Sequence, residues 1–273
     1  MHWVQYRRLV LSPGREWENW KIRSSYWIDV KNNLMENEQK ESIRRNIESV
    51  LEKIHNSAKT AGRDPDRIAL IAVTKLKSAL IVKNLTEFGI VRIGESYLKE
   101  ALFKMNLLNE LEIEWHMIGT IQQGKEKEIA ANFAEVHSVD SKKTAINLNK
   151  YASLNERKLP VFLEFNVSGE KSKHGWGAWA DDQWNGLLPE MNEILDLSNL
   201  DVKGLMTMAP YSNDPQNARP YFQRLRKLQA YLTREISTSN LTDLSMGMSG
   251  DFEVAIEEGA TVLRIGSALV GPR

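Results

Sequence analysis

The residue with the clearest capacity for chemistry is Lys75, which follows a short apolar run. Residues 68–73 are all apolar, and only Thr74 separates this run from the lysine. A β-rich run that ends in an amine is typical of a barrel strand that presents a lysine at the mouth of a pocket. Such an amine can form a Schiff base with an aldehyde. The alternative is a solvated surface charge, the usual state of a lysine just beyond a strand.

Two glycine-bearing turns near the end of the chain have the composition of a phosphate site. The first contains Ser249 and Gly250, and the second contains Gly266 and Ser267. Glycine lets backbone N–H groups converge, serine hydroxyls add donors, and a helix beginning near Asp251 would contribute its positive N-terminus. The loops after the last two strands of a (β/α)8 barrel often bind phosphate. Either turn alone could be only a tight connection, but the two together favour a phosphate ligand.

A lysine for a carbonyl group and a cradle for a phosphate together predict a phosphorylated aldehyde as the ligand. Pyridoxal 5′-phosphate (PLP) carries both groups at a fixed separation. An aldolase that acts on a sugar phosphate would use similar parts. These residues alone therefore leave both ligands open.

The elements that must position these residues alternate along the chain. Eight short apolar runs occur, at residues 68–73, 90–94, 114–118, 135–139, 160–167, 201–206, 242–246 and 261–265. Amphipathic stretches of helical length lie between them, such as residues 80–88, 97–108, 184–195 and 221–236. This eightfold alternation predicts an α/β fold, a (β/α)8 TIM barrel. A doubly wound open sheet is the alternative.

An amphipathic helix precedes the first strand, and an unusual extension precedes that helix. From Glu36 onward, a helical stripe contains Ile43, Ile47, Val50, Leu51, Ile54, Ala58 and Ala61, and Gly62 and Pro65 end it. Residues 1–34 hold four of the eight tryptophans and show no clear period of either kind. We therefore predict a separate N-terminal extension at residues 1–34 and a single barrel domain at residues 35–273.

The composition excludes several classes of protein. Lysine plus arginine (36) balances aspartate plus glutamate (36), so no overall field would attract nucleic acid or an acidic membrane. The chain has no cysteine, which excludes disulfides and Cys-based zinc sites and fits a cytoplasmic protein. It also lacks an apolar stretch of about 18 residues, so no membrane span is expected.

Motifs spread over residues 36–273 resemble one known family. They comprise Ala72-Val-Thr-Lys75, Gly94-Glu-Ser-Tyr97, Ile113-Glu-Trp-His-Met-Ile-Gly119, Val136-His-Ser-Val-Asp-Ser141, Asn166-Val-Ser-Gly-Glu-Lys-Ser-Lys173, Gly204-Leu-Met-Thr207, Leu244-Ser-Met-Gly-Met-Ser-Gly-Asp-Phe252 and Leu263-Arg-Ile-Gly266. With these motifs the chain resembles the YggS/PROSC-type pyridoxal phosphate homeostasis proteins.

This resemblance implies the fold of the alanine racemase N-terminal barrel, with one additional N-terminal helix. It implies that Lys75 holds PLP as a reversible Schiff base and that Arg264 faces the pyridine nitrogen. The phosphate would be held by Ser249, Gly250, Gly266 and Ser267, while Ser96 and Met206 would complete the cofactor contacts. The implied function is PLP (vitamin B6) homeostasis by a cytoplasmic monomer that binds B6 vitamers and transiently contacts PLP-dependent apo-enzymes.

The chain departs from the family pattern at Thr74, at Ser96 and in the loop Gly119-Thr-Ile-Gln-Gln-Gly-Lys125, where the family usually has Gly-His-Leu-Gln-Ser-Asn-Lys. Thr74 replaces the serine that usually precedes the lysine, which is a conservative change. Ser96 replaces an asparagine and is shorter, which puts its contact with the cofactor ring in doubt. Thr120 replaces a histidine and so removes an imidazole from the third loop.

Two features favour a carrier of PLP over an enzyme. A cationic Arg264 beside the ring nitrogen would disfavour the protonated pyridinium, and with it the electron sink that most PLP catalysis uses. A racemase also needs an acid/base on each face of its substrate, and the chain stops a few residues past the eighth strand, so we expect no second domain to supply one. A PLP-dependent amino-acid racemase remains the alternative, and an aldolase comes third.

Several further residues are weaker candidates. Tyr97 and His116 could carry protons, although a histidine at this point of a barrel is more often simply hydrogen-bonded. Glu114 and His116 offer two metal ligands without an evident third, so no metal site is predicted. The lysines Lys125, Lys171 and Lys173 are either loop charges or a second basic spot for outgoing cofactor.

Overall fold

The structure is a computed structural model that describes residues 16–236 and 240–272, with side chains described from Glu36 onward. Eight parallel strands of this part of the chain form a barrel. Their order is β4-β3-β2-β1-β9-β8-β7-β5, and pairing of β4 with β5 closes the sheet. The strands are β1 (Ala69–Val73), β2 (Arg92–Glu95), β3 (Glu114–Met117), β4 (Glu135–Val139), β5 (Leu159–Asn166), β7 (Leu200–Met206), β8 (Asp243–Ser245) and β9 (Val262–Ile265). The predicted (β/α)8 barrel is confirmed.

One strand was not predicted from the sequence. The two-residue strand β6 (Trp176–Gly177) pairs with Phe165 and Asn166 at the end of β5. Its two residues are too few for a period-two pattern to reveal it. β6 brings the long loop after β5 back to the carboxyl end of that strand.

Nine α-helices are described. They are α1 (Glu16–Thr60), α2 (Ala79–Glu87), α3 (Leu98–Leu107), α4 (Glu126–Asn132), α5 (Lys142–Leu154), α6 (Leu188–Leu195), α7 (Arg219–Glu235), α8 (Phe252–Glu257) and α9 (Ser267–Val270). Short 3-10 helices lie at Pro65–Arg67, Asp181–Leu187 and Pro215–Ala218. Among the described helices, none has an apolar stretch long enough to cross a membrane.

Helix α1 begins earlier than the hydrophobic pattern predicts, at Glu16 rather than at Glu36. The first part of the predicted extension, residues 1–15, lies outside the described residues. The chain divides into two compact units, and the second begins within α1, at Ile43. In that unit Ile43, Ile47 and Ile54 are buried, whereas Leu51 of the predicted stripe is 45% exposed.

The barrel has an apolar outer layer and a partly polar interior. Outward-facing side chains of the strands pack against the helices in one large cluster. A small interior cluster consists of Ile71, Phe162, Met206 and Val262. The barrel strands also carry buried polar groups, among them His137, Ser245 and Arg264. Since buried polar groups must be hydrogen-bonded, these residues indicate a built interior network.

Candidate functional site

The carboxyl ends of the barrel strands surround two cavities, and Lys75 lines both of them. The first cavity, of about 500 Å³, is also lined by Ser249, Gly250, Arg264, Gly266 and Ser267. The second cavity, of about 620 Å³, is also lined by Ser96, Tyr97 and Glu164. Ile118 and Met208 line both cavities, which therefore adjoin each other around the lysine. Their volumes fall within the range of cofactor pockets.

The backbone on either side of Lys75 is held by a buried ionic network. The Lys104 ammonium donates to the Thr74 carbonyl oxygen (2.8 Å), to Glu95 Oε1 (2.7 Å) and to Glu100 Oε1 (2.6 Å). The Thr74 hydroxyl donates to the same Glu95 oxygen at 2.6 Å. Burial raises the pKa of Glu95, and the hydrogen bonds from Lys104 and Thr74 oppose that rise. Because Lys104 and Glu95 are fully enclosed, this pairing satisfies charges that would otherwise be costly to bury.

On the other side of Lys75, Leu76 adopts a left-handed backbone conformation. Its φ is 62°, a region that costs a non-glycine residue about 1 kcal/mol or more. The Leu76 N–H donates to Glu100 Oε1 at 2.7 Å, and this bond holds the turn. The sharp turn and the Lys104 network together fix the backbone from which the Lys75 side chain projects.

The two glycine-bearing turns meet through the Ser249 hydroxyl. Ser249 Oγ accepts from the backbone N–H of Gly266 (3.2 Å) and of Ala268 (3.3 Å). Two N–H groups that converge on one oxygen form the kind of concave donor site that binds anions. The turn requires glycine at position 247, where φ is +97° and a Cβ would lie 2.7 Å from the Cβ of Ala255. All four predicted phosphate ligands line the first cavity together with Lys75.

Arg264 projects into the barrel interior from β9 and lines the first cavity. Its guanidinium donates to Ser245 Oγ (2.6 Å) and to the Thr207 carbonyl oxygen (2.8 Å). Burial lowers the pKa of Arg264 to about 10, while Glu164 and Asp251 act in the opposite direction. The group is therefore cationic at neutral pH and rigidly oriented.

Glu164 belongs to the site although the sequence reasoning did not select it. Its side chain lies in the interior at the end of β5, is 4% exposed, and lines the second cavity with Lys75. Burial raises its pKa to about 7, Asp140 adds to the rise, and Arg264 opposes it. The available signal was a charged residue inside the apolar run of residues 160–167.

Ser96 and Met206, the other two predicted cofactor contacts, lie in different places. Ser96 lines the second cavity, and its backbone is so close to Gly119 that a Cβ there would lie 2.4 Å from the Ser96 carbonyl oxygen. Met206 is 1% exposed inside the barrel beside Ile71 and lines neither cavity. Met208 lines both, because the alternation of side chains places it one pleat nearer the mouth.

The three lysines considered as a second basic spot do not lie together at one cavity. Lys125 lines the second cavity. The Lys173 ammonium instead donates to the Met208 carbonyl oxygen at 2.6 Å and pairs with Glu170 at 2.9 Å. Neither Lys171 nor Lys173 lines either cavity.

The histidines of β3 and β4 lie deeper in the barrel. His116 lines neither cavity, in contrast to its expected place at the mouth. Its Nδ1 lies 3.1 Å from His137 Nε2, and the His137 ring stacks on Phe162 with centroids 4.5 Å apart. Burial lowers the pKa of His137 to about 4. Burial would raise the pKa of Glu135, but hydrogen bonds from both histidines hold it well below its usual range.

Comparisons with known proteins agree with this architecture. The model of the alanine racemase N-terminal domain matches residues 41–273. The pyridoxal phosphate homeostasis protein of Pseudomonas aeruginosa is 41% identical over 233 residues, which cover 85% of this chain and 96% of that protein. The pyridoxal phosphate homeostasis protein of Aquifex aeolicus is 38% identical over 227 residues, which cover 83% of this chain and 96% of that protein.

The fold is also similar to that of a solved structure. PipY of Synechococcus elongatus PCC7942, solved with PLP bound, superimposes with a TM-score of 0.70 at 29% identity. The match covers 81% of this chain and all of that chain (100%).

Proposed function

The chain belongs to the alanine racemase N-terminal domain family and, within it, to the pyridoxal phosphate homeostasis proteins, and from this premise we propose that it binds PLP in PLP homeostasis. PLP is held as a reversible Schiff base on Lys75, and the protein acts as a carrier that takes up and releases the cofactor. Two relatives bear the name of that function, and PipY was solved with PLP bound.

One observation carries this proposal. An amine, a cationic guanidinium and two glycine-bearing turns that meet at the Ser249 hydroxyl line a single cavity. The Gly266 N–H and the Ser249 and Ser267 hydroxyls in these turns are donors of the kind that bind the oxygen atoms of an anion. The residues present therefore fit a ligand with a carbonyl group, a phosphate and a ring between them.

Each residue would then have a distinct role. Ser249, Gly250, Gly266 and Ser267 would bind phosphate oxygens through their hydroxyl and backbone N–H groups. Lys75 would provide the amine, and Met208 would contact the ring. PLP itself supplies an electrophilic carbonyl carbon and an electron-withdrawing ring.

Arg264 would make the site better suited to holding the cofactor than to using it. The guanidinium is held by Ser245 and Thr207, and it remains protonated at neutral pH. Beside the ring nitrogen of bound PLP, such a fixed cation would lower the pKa of that nitrogen and keep it unprotonated. The ring is then a weaker acceptor of electrons.

Turnover of amino acids by a racemase is the second candidate. Glu164 and Tyr97 line the same cavity as Lys75, and a carboxyl group whose pKa is about 7 can accept or donate a proton. The two functions differ in what happens to the substrate α-hydrogen. Steady exchange with inversion of L- or D-alanine in deuterated water would favour the racemase and would contradict the carrier.

The binding proposal is tested by titrating the protein with PLP and recording the Schiff-base absorbance. We expect a saturable band in the wild type, its loss in Lys75→Ala, and its retention in Lys83→Ala, which removes an exposed lysine of α2. A wild type without the band, or a Lys75→Ala variant that keeps it, would contradict the proposal.

A further inference from the structure

A cluster of three potential metal ligands lies in the barrel interior, away from both cavities. His116 belongs to β3, and Glu135 and His137 belong to β4. The parallel register pairs His116 with Glu135, so two ligands lie side by side on neighbouring strands. His116 is 3% and His137 0% exposed, whereas the Glu135 side chain is 19% exposed and leaves a path from solvent.

The three ligand atoms form a nearly equilateral triangle. His116 Nδ1 lies 3.1 Å from His137 Nε2 and 3.1 Å from Glu135 Oε2. His137 Nε2 lies 3.5 Å from the same carboxylate oxygen. All three contacts are therefore within or near hydrogen-bond distance.

Hydrogen bonds cannot satisfy all three sides of this triangle. An ionised carboxylate only accepts, so each histidine nitrogen must carry a proton to bond Glu135. Two protonated ring nitrogens would then face each other at 3.1 Å as donor against donor. If one of the two ring nitrogens instead carries no proton and accepts a hydrogen bond from the other, it has no proton to donate to Glu135. A central cation would satisfy all three atoms at once, because each presents a lone pair.

The dimensions match those of a tetrahedral zinc site. Zn²⁺ binds imidazole nitrogen at about 2.0–2.1 Å and carboxylate oxygen at about 2.0–2.2 Å, which puts tetrahedral ligand atoms about 3.3 Å apart. The observed separations of 3.1, 3.1 and 3.5 Å lie on both sides of that value. Two imidazoles and one carboxylate are also a ligand set that suits zinc and cobalt.

The surroundings of His137 are those of an oriented metal ligand. Its second ring nitrogen, Nδ1, lies 2.9 Å from Ser245 Oγ, and Arg264 donates to the same oxygen at 2.6 Å. A hydrogen bond on the second ring nitrogen fixes the orientation of a ligating histidine. Stacking on Phe162 restricts the ring further.

We propose that His116, Glu135 and His137 form a binding site for a divalent transition-metal ion of the zinc type, with one coordination position left open. The site braces the bottom of the barrel interior and, through Ser245, the guanidinium of Arg264. Of the pair Glu114 and His116 considered from the sequence, His116 is a ligand and Glu114 is not, and Glu135 and His137 complete the set. This site is independent of PLP binding, and it can exist whether or not Lys75 binds the cofactor.

The test uses metal-free protein prepared with a chelator, without an affinity tag. Zn²⁺ or Co²⁺ is added, the bound metal is measured by elemental analysis after gel filtration, and the cobalt protein is examined by visible spectroscopy. We expect about one ion per chain and the intense visible bands of tetrahedral cobalt. A wild type that retains no stoichiometric metal would overturn the proposal without any variant.

Variants separate this site from adventitious binding. Glu135→Gln keeps the shape of a side chain that is 19% exposed and should weaken cobalt binding more than about 100-fold, and Ser245→Ala about 10- to 100-fold. Glu114→Gln is the matched control, because Glu114 lies 3.9 Å from the other nitrogen of His116 and outside the triangle. Circular dichroism checks that each variant is folded, and His116→Gln replaces Glu135→Gln if the latter is not. Unchanged affinity in a folded ligand variant would assign the metal elsewhere and reject the site.

Discussion

The Lys104 ammonium lies 2.8 Å from the carbonyl oxygen of Thr74, the residue that immediately precedes Lys75. A second, buried lysine thus holds the backbone of the lysine that lines the cavities. It also neutralises Glu95, whose carboxylate receives the Thr74 hydroxyl. The position of Lys75 therefore depends on charges that never reach the cavities.

Replacing Lys104 should destabilise the protein strongly. Lys104→Met would leave Glu95 buried without its cation, and the loss of one partner of a buried pair costs about 3–5 kcal/mol. Urea unfolding measures this change, and Lys99→Met at an exposed position of α3 is the matched control. A loss below about 1 kcal/mol would show that the network is not needed for stability.

The Ser249 hydroxyl should contribute to the affinity for PLP through its phosphate group and not through its ring. Ser249→Ala removes one donor to the phosphate and the oxygen that aligns the N–H groups of Gly266 and Ala268. Loss of one such hydrogen bond costs about 1–1.5 kcal/mol, or about tenfold in affinity. Titrations should show this loss for PLP and little change for pyridoxal, which has no phosphate. Equal weakening of both ligands would refute the phosphate role.

Glu164 should make stability depend on pH. Its pKa of about 7 lies above the ordinary 4.5, so between these values the folded state retains a proton that the unfolded state has released. The stabilisation is complete below about pH 4.5 and is lost as pH rises through about 7, by about 3 kcal/mol in all. Glu164→Gln should abolish this loss, so its stability relative to the wild type should rise from pH 5 to pH 8.

The measurement is urea unfolding across that pH range, with Glu110→Gln at an exposed position as the control. A constant difference between Glu164→Gln and the wild type would mean that Glu164 is already ionised at pH 5.

Met206 and Met208 should have separable effects. Met206→Ala leaves a cavity in the barrel interior and should cost about 2–5 kcal/mol in the free energy of unfolding. Met208 lies at the walls of both cavities, so Met208→Ala should weaken PLP binding with a smaller loss of stability than Met206→Ala causes. Parallel unfolding and binding titrations test both. The reverse assignment of the two effects would restore Met206 as the cofactor contact.

The residues that could be predicted from sequence are those next to the ends of strands. Lys75, Ser249 and Gly266 lie within three residues of the end of an apolar run, so the barrel alone brings them to one mouth. Met208 could not be chosen over Met206 from the sequence. Side-chain alternation places Met208 nearer the mouth only once the end of β7 at Met206 is known.

The buried charges were beyond prediction from a single sequence. Lys104 lies on an amphipathic helix, and its sequence context is that of a solvent-exposed lysine. The structure shows that it is buried and paired with Glu95. The triangle of His116, Glu135 and His137 depends on the register between β3 and β4, which no local pattern encodes. The start of α1 at Glu16 was missed because its first turns carry no apolar period.

The central claim is that Lys75 forms the covalent bond to PLP. Reduction of the PLP-loaded protein with borohydride, followed by peptide mass spectrometry, tests it most directly. We predict a single stable pyridoxyl adduct on the peptide that contains Lys75, at about one per chain, and none at that position in Lys75→Ala. An adduct spread over exposed lysines, or located at Lys77, Lys125 or Lys173 with Lys75 unmodified, would contradict the account.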